Sequence, residues 1–132
     1  MSCARGYSTA LSTVEVFDRP EDVLTPRELL PDLIDAGLDA MNPVQITCRG
    51  MEASGLKRDF GAQLTFWGGG CDTASILNKA TPEEVRKHVL ERCELFSKDG
   101  GFISNTTHNI LPEIPAENIV ACFNAVKEFN KR

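Results

Sequence analysis

The residues best placed to do chemistry follow a short apolar run in the middle of the chain. Leu64-Thr65-Phe66-Trp67 is followed directly by Gly68-Gly69-Gly70-Cys71-Asp72-Thr73. Glycines let a backbone turn tightly or come close to a ligand, Cys71 could serve as a thiolate, and Asp72 could orient a substrate or a histidine. Each side chain also has a simpler interpretation. Cys71 could be a buried structural thiol, and Asp72 a loop carboxylate that hydrogen-bonds its own backbone.

A strand and a helix must position this glycine-rich loop. The aromatic and β-branched residues 64–67 predict a strand. After the loop, Thr81-Pro82-Glu83-Glu84 combines a capping hydroxyl, a proline at the first helical position and a glutamate three residues beyond the cap. We therefore predict a helix over residues 82–98, with one apolar face formed by Val85, Val89, Cys93 and Phe96.

Similar units occupy the rest of the chain. Thr25-Pro26-Arg27-Glu28 repeats the capping pattern and predicts a helix that ends near Ala36 before Gly37. Pro31 conflicts with a helix begun at Pro26 and marks either the true first turn or a kink. Short strands are predicted at residues 14–17, 38–41 and 102–104, and helices at residues 52–60 and 115–129.

Alternating strands and helices indicate an α/β fold with a parallel sheet, whose ligand sites lie at the carboxyl ends of the strands. Asn42, Gly68 and Asn105 follow three successive strands and should share one rim. The alternative is that these residues only make turns. Three parallel strands are too few to close a barrel and leave two open edges, so something is missing from this chain.

Composition limits the class of protein. With 132 residues and 42% hydrophobic content, the chain can bury one modest core. A net charge of −5 argues against nucleic acid as a partner. Because the sequence has neither a run of eighteen apolar residues nor a secretory signal, we expect no membrane association and a cytoplasmic location. The five cysteines form no CxxC pair, which favours reduced thiols over disulfides.

Six motifs together resemble the C-terminal part of the uroporphyrinogen decarboxylase (URO-D) superfamily, in the family's order and spacing. The similarity is greatest to the branch that resembles methylcobalamin:coenzyme M methyltransferases. The match runs from about Arg27 to Arg132, and it implies that residues 25–132 form the last three or so βα units of a (β/α)8 TIM barrel, after a poorly matched segment 1–24. The motifs are residues 29–39, Asn42-Pro43-Val44-Gln45, residues 56–61, Trp67 to Thr73, Thr81 to Val85, and His108-Asn109-Ile110 with Pro115-Ala116-Glu117-Asn118.

The resemblance implies a zinc- and corrinoid (cobalamin)-dependent methyltransferase, or alternatively a cofactor-independent uroporphyrinogen III decarboxylase of porphyrin biosynthesis. In the methyltransferase branch, His108 matches the third zinc ligand. By itself, a histidine after a short strand is more often a hydrogen-bonding surface group. The resemblance and the rim geometry together suggest six residues for substrate or cofactor binding. These are Asn42, Gln45, Gly69, Gly70, Asp72 and Asn109.

Either chemistry is incomplete in this chain. The His-x-Cys-Gly motif that supplies two zinc ligands in the methyltransferase branch is replaced by Asp22-Val23-Leu24-Thr25, and one histidine cannot hold zinc. The decarboxylase's N-terminal arginine and aspartate motifs also have no counterpart. Zinc and a corrinoid could therefore bind only through a partner.

Two hypotheses follow. Either the chain belongs to an enzyme of this superfamily, as the partner of a complementary N-terminal barrel chain or as a fragment of that enzyme, or it is a noncatalytic half-barrel that self-associates into a homo-oligomer. In the first case Asn42, Asp72 and His108 should surround one cavity. We also expect His88 to be solvated and Trp67 to pack in the barrel wall.

Overall fold

A computed structural model describes residues 25–132, where helices and short parallel strands alternate. The predicted strand at residues 14–17 lies outside this part. No helix in the described part is long and apolar enough to cross a membrane. The elements in chain order are α1 (Pro26–Asp35), β1 (Ala40–Met41), α2 (Ala53–Phe60), β2 (Thr65–Trp67), a π-helical turn (Thr73–Leu77), α3 (Pro82–Ser97), β3 (Phe102–Ile103) and α4 (Ala116–Phe129).

The three strands form one sheet in the order β1-β2-β3, and both pairs are parallel. The register places Phe66 between Met41 and Phe102, and it pairs Trp67 with Ile103. A further parallel bridge between Cys71 and Thr106 extends the contact beyond the ends of β2 and β3. The predicted α/β architecture is confirmed as three consecutive βα units of the kind that build a (β/α)8 barrel.

The two predicted capping boxes start α1 and α3. At α3, the Thr81 hydroxyl accepts a hydrogen bond from the backbone N–H of Glu84, whose carboxylate accepts one from the Thr81 N–H at 2.8 Å. Such reciprocal bonds satisfy donors that a helix start otherwise leaves unpaired. Pro31 lies inside α1, so this helix does begin at Pro26. Gly37 follows α1 with φ +101°, a conformation that favours glycine.

One face of the sheet is covered by helices. Met41, Phe66 and Phe102 share this face because register partners in adjacent strands point to the same side. The Phe96 ring of α3 lies 5.2 Å from both Phe66 and Phe102, measured between ring centroids. The apolar face predicted for α3 is buried as expected, since Val85, Val89, Cys93 and Phe96 are all in the core.

Within residues 25–132, no helix or strand covers the opposite face of the sheet. Trp67 and Ile103 are register partners on this face, and their side chains are 39% and 46% exposed. The prediction that Trp67 packs in the barrel wall is therefore wrong for the described chain. The helices bury the other face of the sheet, and a closed barrel would enclose the face that carries Trp67.

Candidate functional site

The loops at the carboxyl ends of the three strands are in direct contact. The Gly68 N–H donates to the Ile103 carbonyl at 3.1 Å, and the Gly70 N–H donates to the Asn105 carbonyl at 2.8 Å. On the other side, a Cβ atom at Gly69 would lie 3.2 Å from the Val44 side chain of the loop after β1. The glycine-rich loop is thus held between its two neighbours, and the predicted common rim is present.

Close packing explains the glycine at position 70. An added Cβ there would lie 2.8 Å from the Ser104 hydroxyl oxygen and 3.0 Å from the Asn105 carbonyl oxygen. At Gly68, φ is +123° and a Cβ would lie 3.0 Å from the backbone nitrogen of Val44. Side chains at these positions would push the rim loops apart.

Asp72 is buried and starts the π-helical turn. Its carboxylate accepts hydrogen bonds from the backbone N–H groups of Ala74 at 3.3 Å and Ser75 at 3.2 Å, and also from the Ser75 hydroxyl. The simpler interpretation, a loop carboxylate bonded to its own backbone, therefore describes the observed contacts. A ligand-binding role for Asp72 stays a prediction.

A buried pair of threonines, which the sequence analysis did not single out, joins the glycine-rich loop to the loop after β3. The Thr107 hydroxyl accepts from the Thr73 N–H at 3.2 Å and lies 3.1 Å from the Thr73 hydroxyl. The Thr107 N–H donates to the Cys71 carbonyl at 2.9 Å. These bonds fix the backbone immediately before His108.

His108 and Asn109 are exposed at this end of the loop. The Thr106 hydroxyl donates to the His108 carbonyl at 2.7 Å, which orders the backbone while the imidazole remains exposed. Asn42 is half-buried, and the Gln45 amide donates to the Thr47 hydroxyl at 2.7 Å. The structure brings these loops together, although within residues 25–132 no hydrogen bond joins the side chains of Asn42, Asp72 and His108.

Zinc does not fit this part of the chain by itself. Catalytic zinc takes three protein ligands, and the described residues contain no group of three His, Cys, Asp or Glu side chains that could hold a metal ion. His108 could supply one ligand only if the others came from elsewhere. Its assignment as a ligand stays a prediction.

Cys71 is buried, and its thiol donates to the Asp72 carbonyl at 3.8 Å. The Cys122 side chain and burial raise the pKa of the Cys71 thiol, so Cys71 is protonated at neutral pH. The interpretation as a structural thiol is therefore supported. Cys93 is buried, as predicted for the apolar face of α3, and Cys122 is buried as well.

Asn118, in the first turn of α4, is a buried polar residue whose contacts the sequence did not reveal. Its amide group donates to the carbonyls of Leu77 at 3.0 Å and Ala80 at 2.7 Å. The side chain therefore ties α4 to the segment that follows the glycine-rich loop. Polar residues are common at the start of an amphipathic helix, so the sequence did not indicate this role.

The sequence predicts a solvated His88, but the structure places its side chain partly inside the protein. The side chain is half-buried, and its Nε2 atom is buried without a hydrogen-bond partner among residues 25–132. Burial lowers the pKa of His88, the charge of Arg92 lowers it further, and Asp72 and Glu91 oppose the shift. The charged residues around it in the sequence suggested a solvent-facing position, but residue 88 lies partly inside.

A separate surface groove lies along α3 and reaches the end of the chain. It is bordered by ion pairs of Arg86 with Glu128 at 2.8 Å and of Arg132 with Glu94 at 2.6 Å. The predicted site residues lie at the rim instead, so this groove is not part of the candidate site. Its lining residues are Glu83, Glu84, Arg86, Lys87, Leu90, Glu91, Glu94 and Arg132.

Three parallel strands with helices on one face and glycine-rich or polar loops at their carboxyl ends define a protein of the βα-barrel class. The sequence profile of the family described as uroporphyrinogen decarboxylase (URO-D) matches residues 25–129. This chain belongs to that family, which confirms the predicted superfamily.

One relative is a uroporphyrinogen decarboxylase of Christiangramia forsetii, which is 35% identical over 88 residues. The matched stretch covers 67% of this chain and 24% of that protein. The chain therefore spans about a quarter of that curated relative. No solved structure matches the chain.

Proposed function

We propose that this chain supplies the last βα units of a URO-D-family active site, and that a complementary N-terminal barrel chain supplies the rest. In the proposed complex, the enzyme is a zinc- and corrinoid-dependent methyltransferase. The observation that carries the proposal is an open apolar sheet face adjoining three rim loops that are already packed together.

The open face supports a partner because parallel sheets are normally covered on both sides. Trp67 and Ile103 lie side by side on this face, and both are more than one third exposed. β1 and β3 also each have an edge without a strand partner in residues 25–132. A chain that continues the sheet on both sides would pair these edges and cover both side chains.

The rim loops support a binding site because they are held in place before any partner arrives. Buried hydrogen bonds between Thr73 and Thr107 fix the chain next to His108, whose imidazole stays exposed. In the proposed enzyme, His108 is one zinc ligand and the partner supplies the others. Bound zinc would activate a thiol. The residues proposed to contact the substrate or corrinoid are Asn42, Gln45, Gly69, Gly70, Asp72 and Asn109.

A second candidate is decarboxylation of uroporphyrinogen by the completed barrel. It is favoured by the similarity to the uroporphyrinogen decarboxylase of Christiangramia forsetii, which is 35% identical over the matched stretch. In this case His108 would line the active site without binding a metal.

The test combines native mass spectrometry with zinc analysis of the full chain, alone and after co-expression with a complementary N-terminal chain. The proposal predicts a one-to-one complex that takes up zinc, and His108→Ala should abolish the uptake. His88→Gln is the matched control, since it changes the other histidine in the sequence and should leave zinc unchanged.

Other outcomes identify the alternatives. A metal-free complex that releases CO₂ from uroporphyrinogen, and loses this activity in His108→Ala, would establish the decarboxylase. A stable self-dimer that binds neither zinc nor the complementary chain would show that the chain is a noncatalytic half-barrel, and the proposal would be wrong.

A further inference from the structure

The most exposed large apolar side chains in the described part of the chain lie together on α4. Val120 is 57% exposed and Phe123 is 58% exposed, and residues three apart are neighbours on a helix surface. Single exposed apolar residues are common, whereas contiguous apolar patches mark interaction sites. No part of the proposed function uses these two side chains.

Val120 and Phe123 point away from the rest of the protein. The buried residues of α4 are Asn118, Cys122 and Ala125. Val120 comes two residues after Asn118 and Phe123 two residues before Ala125, and a step of two residues rotates by about 200° around a helix axis. Both therefore lie opposite the buried face. Because the helices of a (β/α)8 barrel form an outer ring around the sheet, a chain that completes the barrel would leave this side of α4 exposed.

A charged residue lies at each end of this apolar pair. Glu117 comes three residues before Val120, and Lys127 comes four residues after Phe123, so all four side chains are neighbours along one side of the helix. Glu117 and Lys127 are exposed, and within residues 25–132 neither forms an ion pair. These four residues, which we call the outward stripe, run from an acid through two apolar side chains to a base.

We propose that the outward stripe binds a second copy of this chain, which packs its own α4 antiparallel to the first. Charge complementarity identifies this occupant, because the stripe read backwards is a base, two apolar side chains and an acid. An antiparallel copy places its Lys127 beside Glu117 and its Phe123 beside Val120. A parallel pair related by a two-fold axis would place like charges together, which is unfavourable.

The antiparallel pair has the symmetry of an ordinary homodimer. In a two-fold interface the same patch of both copies is used, so each contact forms twice. Burial of Val120 and Phe123 supplies the driving force, while the exposed ion pairs contribute little energy and select the orientation. One helix pair makes a small interface, and small interfaces belong to weak complexes. The dimer is therefore reversible and depends on concentration.

This inference goes beyond the proposed function and does not depend on it. The outward stripe lies on the outer side of α4, whereas Trp67 and Ile103 lie on the sheet face that the helices do not cover. The two surfaces can be occupied at the same time. Two copies that also bind two complementary chains would keep the one-to-one ratio.

Light scattering coupled to size exclusion, applied to the full chain alone, tests the apolar part of the stripe. Between about 1 µM and about 1 mM, the range of weak complexes, the measured mass should rise from that of one chain towards twice that value. Phe123→Glu should keep the mass of one chain throughout. Ile103→Glu is the matched control, since it places the same charge on the open sheet face, and it should still dimerise. Circular dichroism checks that both variants are folded.

A charge-reversal experiment tests the antiparallel orientation. Glu117→Lys alone and Lys127→Glu alone each place like charges together at both ends of the dimer, so each variant should self-associate at least about tenfold more weakly than the wild type. An equimolar mixture of the two variants should restore dimerisation, because every pair in a mixed dimer is then of opposite charge. Native mass spectrometry identifies the mixed dimer.

Four outcomes would overturn the proposal. The first is a dimer that Phe123→Glu retains and Ile103→Glu loses, which would place self-association on the open sheet face. The second is a mixture of the charge variants that associates no better than each variant alone. In the third, the full chain stays monomeric and Phe123→Glu lowers its free energy of unfolding in urea, which would assign residues 1–24 as the cover of the stripe. In the fourth, the chain stays monomeric and Phe123→Glu has no effect, which would leave the stripe to a different protein.

Discussion

At the scale of single residues, Asn118 shows what sequence patterns miss. A polar residue at the start of a helix is normally an exposed or capping group, and the amphipathic pattern of α4 gave no sign that residue 118 is buried. The structure shows its amide donating two hydrogen bonds to backbone carbonyls of another segment. Such long-range partners lie 41 and 38 residues away along the chain, so no local pattern could have identified them.

We expect Asn118→Ala to destabilise the chain by about 1–3 kcal/mol, because the Leu77 and Ala80 carbonyls lose a donor in a buried site. The matched control is Asn124→Ala, which changes an exposed asparagine of the same helix and should alter the free energy of unfolding by less than about 0.5 kcal/mol. Urea denaturation followed by circular dichroism measures both. Equal effects for the two variants would mean that the buried amide bonds contribute nothing specific.

His88 leads to a prediction about pH. Its pKa is lowered in the folded chain from the ordinary value of 6.5, chiefly by burial, so the unfolded chain binds the proton more tightly. Stability from a neutral His88 is complete above pH 6.5 and is lost as the pH falls towards the folded pKa. The urea midpoint should therefore decrease as the pH falls below 6.5.

The variant His88→Gln should flatten this decrease, and His108→Gln should preserve it. Both variants remove one histidine, so the comparison isolates the half-buried one. A wild-type midpoint that stays constant over this window would contradict the proposed effect of burial.

At the scale of secondary-structure elements, the sequence predicted those with strong local signals. Two Thr-Pro-x-Glu segments correctly located the starts of α1 and α3, because both cap bonds form within one turn. The prediction of a glycine-rich loop directly after β2 was also correct. The π-helical turn at Thr73–Leu77 was missed, since it is stabilised by Asp72 and by contacts with the loop after β3 that are distant in sequence.

The substitution Gly70→Ala should destabilise the chain, because Gly70 is closely packed against a neighbouring rim loop. Its Cβ would approach the Ser104 hydroxyl and the Asn105 carbonyl within 3.0 Å, so we expect a loss of about 1–3 kcal/mol from overpacking. In Gly55→Ala, the matched change inside α2, the Cβ meets the end of the Arg27 side chain at 3.2 Å. The helix preference of alanine, worth up to about 1 kcal/mol, compensates there.

Urea denaturation of the two glycine variants tests this difference. NMR amide shifts should change around residues 104–107 in Gly70→Ala only. If both variants unfold at the same urea concentration, the rim is looser than the packing around Gly70 implies.

At the scale of the whole molecule, the sequence indicated an incomplete barrel but not which surfaces this leaves open. Alternation along β2 shows that Phe66 and Trp67 face opposite sides, and only the three-dimensional arrangement shows which side the helices cover. Trp67 was accordingly assigned to the barrel wall, whereas it lies on the open face.

Trp67 is the only tryptophan in the sequence, which makes it a reporter of partner binding. Its fluorescence should shift to shorter wavelength when a complementary chain covers the open face. Ile103→Glu, next to Trp67 on that face, should prevent both the shift and the association. Ser54→Glu, on the exposed side of α2, is the control and should preserve both, while complex formation without a spectral shift would place the interface elsewhere.

Phe102 packs against both core clusters, the one around β1, β2 and α2 and the one between α3 and α4. Two clusters that share only one side chain can unfold separately, because each cluster is a local cooperative unit with its own free energy of opening. Amide hydrogen exchange should accordingly resolve two groups of protection factors, one for each cluster. The variant Phe102→Ala removes the side chain that joins the two clusters. Amide hydrogens in the less stable cluster should then exchange faster, while those in the other cluster should change less.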